Sequence, residues 1–169
     1  MLYIFGGLPG TGKSTIAAHL ARRSRAVYVR IDTIEQGMRD AGLAVDGPAG
    51  YLVAYALTLD NLRLGHDVVA DSVNALNITR SAWIDVAGRA DVPFVEIEIV
   101  CTDQEEHRKR VESRISDIEG MILPTWQGVL DRAYDEWTAE HIVLDTAGQS
   151  PETSITALLQ VLKVRREGI

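Results

Sequence analysis

Residues 7–14 read Gly-Leu-Pro-Gly-Thr-Gly-Lys-Ser, the spacing G-x-x-x-x-G-K-[ST], and each fixed position suits the binding of a polyphosphate. Glycines at 7, 10 and 12 let the backbone wrap closely around phosphate oxygens. The N–H groups of Gly10, Thr11, Gly12, Lys13, Ser14 and Thr15 can then converge as an anion nest. Pro9 has no N–H and only shapes the bend. Lys13 offers a compact positive charge to the β- and γ-phosphates, and the Ser14 hydroxyl suits Mg²⁺. The implied ligand is a nucleoside triphosphate.

Three aspartates end apolar runs, where a carboxylate meets a ligand or caps the next helix. Asp71 follows Val68-Val69-Ala70 and has the pattern of a magnesium-holding carboxylate beside a phosphate loop; a helix cap is the alternative. Asp32 is suited to accept a proton from an acceptor hydroxyl, or to cap a helix over 33–41. Asp145, before Thr146-Ala147-Gly148, reads as structural. Arg110 and Arg114 lie four apart and share a helical face. Either they belong to a solvated, charge-laced surface, or they sit on a lid that closes arginines over phosphate, with Gly120 as hinge.

The elements that must position these residues alternate. Strands are expected at 2–6, 26–31, 67–71, 93–100 and 141–145, and helices at 13–23, 33–41, 49–64, 78–90, 103–116, 125–136 and 151–165. Ile16, Ala17, Leu20 and Ala21 give the helix after the loop one apolar stripe. Thr102-Asp103-Gln104-Glu105 has the form of a capping box, and Ser150-Pro151 that of an N-cap with proline at the first helical position. The pattern predicts an α/β chain with a five-stranded parallel sheet between helices, forming a single domain over 1–169 with a lid region at about 103–124.

A net charge of −7 argues against a long polyanionic partner, so nucleic acid is not expected. No apolar run reaches the roughly 20 residues of a membrane span. The first strand leaves no room ahead of it for a signal peptide, and Cys101 is the only cysteine, so a reducing cytoplasmic setting is expected. Fourteen arginines against three lysines decide little, because genome composition produces the same bias. His19, His66, His107 and His141 show no metal-ligand spacing. Trp126 and Trp137 either line an acceptor pocket or pack a helix at 125–136.

With these positions in view, the chain resembles the small P-loop kinases: gluconate kinase, shikimate kinase, chloramphenicol phosphotransferases and kinases grouped with zeta-toxin-like AAA proteins. The phosphate loop carries part of the likeness. Val29-Arg30-Ile31-Asp32-Thr33-Ile34-Glu35 is similar to the segment bearing the acceptor-orienting aspartate of chloramphenicol phosphotransferase, and Arg110-Val-Glu-Ser-Arg114 to an R-x-x-x-R lid entry. The resemblance implies a P-loop NTPase fold, ATP and Mg²⁺ as cofactors, and phosphoryl transfer to a hydroxyl of a small molecule. It gives catalytic roles to Asp32, Lys13 and Arg114, and places Arg110, Thr146 and Gly148 at the nucleotide. Ser14 and Asp71 fall at the metal, and Asn74 and Arg80 near the acceptor. Where related polynucleotide kinases carry arginine three residues after the aspartate, this chain has Glu35, which disfavours a phosphate-bearing acceptor. Two other readings stay open: a nucleotide-gated regulatory module and a polynucleotide 5′-hydroxyl kinase.

Overall fold

The computed structural model describes residues 1–167. Its elements run β1 (Leu2–Gly6), α1 (Lys13–Ser24), β2 (Val27–Arg30), α2 (Ile31–Asp40), α3 (Ala49–Arg63) and β3 (Val68–Asp71). They continue with α4 (Asn77–Ala90), β4 (Phe94–Val100), α5 (Gln104–Ser113), α6 (Trp126–Leu130), β5 (Ile142–Asp145) and α7 (Pro151–Glu167). The five strands are all parallel, in the order β2-β3-β1-β4-β5.

Parallel strands joined by helical crossovers bury both sheet faces. On one face Tyr3, Phe5, Val69, Ile97 and Ile99 pack against Ile16, Leu20 and Leu158 of α1 and α7. On the other, Leu2, Ile4, Val68 and Ala70 pack against Ala54, Leu62, Trp83 and Val86 of α3 and α4. Alternation along each strand assigns the two sets, and Asp71 falls on the α1 side with Val69. The chain leaves β1 toward β2 and β3 on one side and toward β4 and β5 on the other. The crevice at the carboxyl ends of β1 and β3 is therefore the topological switch point. Among the described residues no helix is long and apolar enough to cross a membrane.

Two sequence expectations are corrected. The helix expected over 125–136 stops at Leu130. Beyond it, Asp135 donates its N–H to Ala75 O (2.8 Å) and accepts the Asn77 N–H on its carboxylate (2.8 Å), while Arg80 takes the Asp135 and Glu136 carbonyls. The Asp135 N–H, bound to Ala75 O, is thereby withdrawn from the bond to Asp131 O that a helix over 125–136 requires. The cap of α5 lies one residue later than expected: Asp103, not Thr102, accepts the N–H of Glu106, at 2.9 Å. Thr102 instead donates its hydroxyl and its N–H to Asp145, tying the ends of β4 and β5 together. Asp145 is structural, as expected. Ser150 does cap α7, accepting the Thr153 N–H.

Candidate functional site

The loop between β1 and α1 has the shape its sequence demands. Gly7, Gly10 and Gly12 all have positive φ, at 137°, 89° and 91°. A side chain at Gly7 would overlap the Ile99 carbonyl, and one at Gly10 would meet Val111 Cγ2 at 2.5 Å. The entry is fixed by Gly7 N–H to Val73 O (3.0 Å), and the outer bend by His107 Nε2 against Pro9 O (2.9 Å). Gly12 caps α1 without a side-chain acceptor, so the amides of its first turn stay open to an anion.

Behind the loop lies a buried charge cluster. Lys13 Nζ is 3.0 Å from Asp71 Oδ1, Tyr28 donates its hydroxyl to Asp71 Oδ2 (2.5 Å), and Arg30 Nε stands 3.8 Å from the same oxygen. Asp71 is 1% exposed. Burial alone would raise its carboxyl, but Lys13, Tyr28 and Ser14 outweigh burial and hold it below the usual carboxylate range. The Tyr28 hydroxyl is correspondingly pushed up, by burial first and by Asp71 second. Tyr28 and Arg30 are the residues that the sequence reading did not place beside Asp71. The signal was their i, i+2 spacing on a strand whose register sets Arg30 opposite Asp71.

A cavity of about 740 Å³ opens in front of the loop. Gly10, Gly12, Lys13, Ser14 and Thr15 form one end, while Asp32, Glu35, Gln36, Arg39 and Tyr51 form another. The irregular segment 114–125 forms the cover, with Arg110, Arg114, Asp117 and Ile122. Asp32 lies in the first turn of α2 but caps nothing. It takes no hydrogen bond from any described residue and shares the field of Arg114. Arg114 is half-buried, its Nε has no hydrogen-bond partner among the described residues, and desolvation lowers its guanidinium. Gln36 fills the space beside Gly120, whose φ is +75°.

The structure thus gathers the loop, Asp32, Arg110 and Arg114 around one cavity, with Asp71 behind. It does not bring Asn74 or Arg80 there. Buried Asn74, in the left-handed region at φ 48°, donates Nδ2 to Phe5 O (2.9 Å) and holds the end of β1. Buried Arg80 donates to the carbonyls of Asn74 (3.0 Å), Asp135 (3.1 Å) and Glu136 (3.0 Å), and its guanidinium lies 4.5 Å over the Trp137 ring. Its donors are already committed. Thr146 and Gly148 lie just off the cavity: Arg110 donates to Thr146 Oγ1 (2.8 Å) and O (2.9 Å), and Glu106 accepts the Gly148 N–H (2.8 Å). Trp126 stands edge-on to His107, and Trp137 lies against Gly6; both pack rather than line the cavity. Cys101 is buried, with its thiol pushed up by desolvation, and plays a packing role.

A parallel sheet with this loop at its switch point defines the P-loop nucleotide-binding class. Within it, the chain belongs to the AAA_33 family, described as an AAA domain, whose pattern matches residues 2–120. No curated protein matches the chain. Solved structures do. A protein of Chloroflexus aurantiacus J-10-fl assigned as a kinase superposes with a TM-score of 0.74 at 20% identity, covering 96% of this chain and 95% of that one. The APS kinase of Mycobacterium tuberculosis, in complex with AMPPNP and APS, gives 0.71 at 18%, over 96% of each chain. A gluconokinase of Sinorhizobium meliloti gives 0.61 at 14%, over 96% and 95%. At these identities the likeness is one of fold.

Proposed function

We propose that the chain is an ATP-dependent kinase, one domain with a lid at about 103–124, that transfers the γ-phosphoryl group to a hydroxyl of a small molecule. The observation that carries this reading is the half-buried, unbonded Asp32 carboxylate facing the cavity that the phosphate loop also lines. The kinase neighbours of the fold support it.

Lys13 and the open amides of α1 hold the triphosphate. Arg114 faces the charge that develops as the bond to the leaving ADP oxygen breaks. Asp32 aligns the acceptor hydroxyl and takes its proton as the acceptor oxygen bonds to phosphorus. Among the described residues no cluster of three metal-ligating side chains exists. Mg²⁺ would be held by the Ser14 hydroxyl, which lines the cavity, with Asp71 behind it acting through water, and would neutralise charge on the phosphate oxygens. Glu35 lines the acceptor end of the cavity, where Arg39 pairs with it at 3.2 Å.

The test is ATP consumption by the purified protein against pooled metabolites, hydroxylated antibiotics and 5′-hydroxyl oligonucleotides. A small-molecule pool that raises turnover, and loses that effect in Asp32→Asn, supports the reading. Stimulation by oligonucleotides alone would replace it with an end kinase, and flat hydrolysis across all pools with a nucleotide-gated module.

A further inference from the structure

Arg30, Arg114 and the Asp117 carboxylate of the covering segment line the same cavity within reach of one another's charge. Arg30 Nη1 donates to Asp117 Oδ2 at 2.8 Å. The two ends of this pair differ greatly in setting: the Arg30 side chain is 13% exposed and the Asp117 side chain 75%. Asp117 is held below the usual carboxylate range, first by the hydrogen bond from Arg30 and also by the nearby charge of Arg114. Asp71 lies behind Arg30, 3.8 Å from its Nε, and among the described residues neither Arg30 Nε nor Arg114 Nε, both buried, has a hydrogen-bond partner. A buried guanidinium holding an exposed, loop-borne carboxylate, with a second guanidinium nearby, forms an anion site with a removable occupant.

We propose that Asp117 is a built-in stand-in for a phosphoryl group on Arg30, displaced when an oxyanion of the substrates enters, so that Arg30 is a further substrate-binding residue. The proposal rests on the kinase reading above. Arg30 directly precedes α2, whose first turn carries Asp32, and both border the cavity with Lys13. An anion on Arg30 therefore lies in the compartment where phosphoryl transfer is proposed. A carboxylate and a phosphoryl oxygen compete for the same N–H donors, and the phosphoryl group brings more negative charge. The shared chemistry is a tetrahedral phosphoryl oxyanion, supplied either by the γ-phosphate or by an anionic group of the acceptor.

Asp117→Asn removes the competitor without removing the site. Calorimetric titration of AMPPNP, ADP and inorganic phosphate, the last on AMPPNP-saturated protein, separates the two sources. Tightening of AMPPNP by about two- to fivefold, with ADP unchanged, supports the proposal with the γ-phosphate as the ligand. A similar tightening confined to inorganic phosphate supports it with an acceptor anion. Each gain is expected to vanish in the Arg30→Gln background. A gain that persists there reflects only the lost charge and overturns the proposal, as do unchanged or weaker affinities for AMPPNP and phosphate. Wild-type protein that fails to bind AMPPNP would overturn the kinase reading and this inference together; wild-type binding with no effect of Asp117→Asn overturns this inference alone.

Discussion

The Lys13 ammonium and the Asp71 carboxylate, 58 residues apart in sequence, meet 3.0 Å apart in the buried space behind the loop. Removing one partner of such a pair strands the other. Lys13→Met should therefore lower stability by roughly 3 kcal/mol as well as abolishing nucleotide binding. Lys13→Met/Asp71→Asn should recover much of that stability without recovering turnover. Denaturant unfolding with parallel ATPase assays checks both; recovery of turnover in the double variant would remove the phosphate-binding role of Lys13.

The same pair makes a pH prediction. The folded Asp71 carboxyl titrates below its unfolded value, so the stability it contributes is fully present above about pH 4 and is lost as pH falls through the lower folded value. In acid titrations followed by circular dichroism, the gap in stability between wild type and Asp71→Asn should be constant near neutrality. It should close only below about pH 4. A gap that closes near pH 6 would assign the effect to another group.

Among the described residues Asp32 caps no helix and accepts no hydrogen bond, so replacing it should touch chemistry alone. Asp32→Asn is expected to lower kcat by about tenfold to a hundredfold or more while nucleotide affinity barely changes. Equal losses in affinity and kcat would make Asp32 a binding residue instead.

The parts of the site legible in the sequence are those built from neighbours in the chain. The loop needs its glycines at fixed positions, and the apolar runs before Asp32 and Asp71 mark strand ends. What escaped reading depends on neighbours across the sheet or from remote segments. Tyr28 and Arg30 reach Asp71 only because β2 and β3 pair in the register Arg30 opposite Asp71. Arg80 was expected at the acceptor, yet it is drawn to carbonyls of 135 and 136 that no local pattern places near it. The helix expected over 125–136 is shortened where the Asp135 N–H goes to Ala75 O, a case of tertiary hydrogen bonding overriding periodicity. The cap of α5 shifted by one because Thr102 is recruited by Asp145 from the adjoining strand.

Arg80 should behave as a fold residue. Arg80→Ala leaves the Asn74, Asp135 and Glu136 carbonyls without their donor and removes the cation from the Trp137 face. A loss of roughly 2–4 kcal/mol is expected. Arg80→Lys should recover little of it, because a point ammonium cannot reproduce a planar fork spread over three carbonyls. Thermal unfolding reads this directly; a normal Tm with a raised acceptor KM would return Arg80 to the substrate site.

The glycines of the loop should separate by what stands in front of each. A methyl group at Gly7 meets the carbonyl oxygen of Ile99, part of the central sheet, and φ there is +137°. Neither the strand nor the backbone conformation can yield cheaply, so Gly7→Ala should fail to fold or lose several kcal/mol, beyond the roughly 1–3 kcal/mol of the strained backbone conformation alone. At Gly10, with φ +89°, the obstacle is the Val111 side chain on α5, backed by His107. A helix on the rim of the sheet can shift where a central strand cannot. Gly10→Ala should therefore remain folded but push α5 outward, taking Arg110 and Arg114 with it, and weaken nucleotide binding at least about tenfold. Pairing Gly10→Ala with Val111→Ala removes the clash but keeps the strained φ. Partial recovery of affinity in the pair would assign the loss to displaced α5, whereas no recovery would assign it to the loop backbone itself.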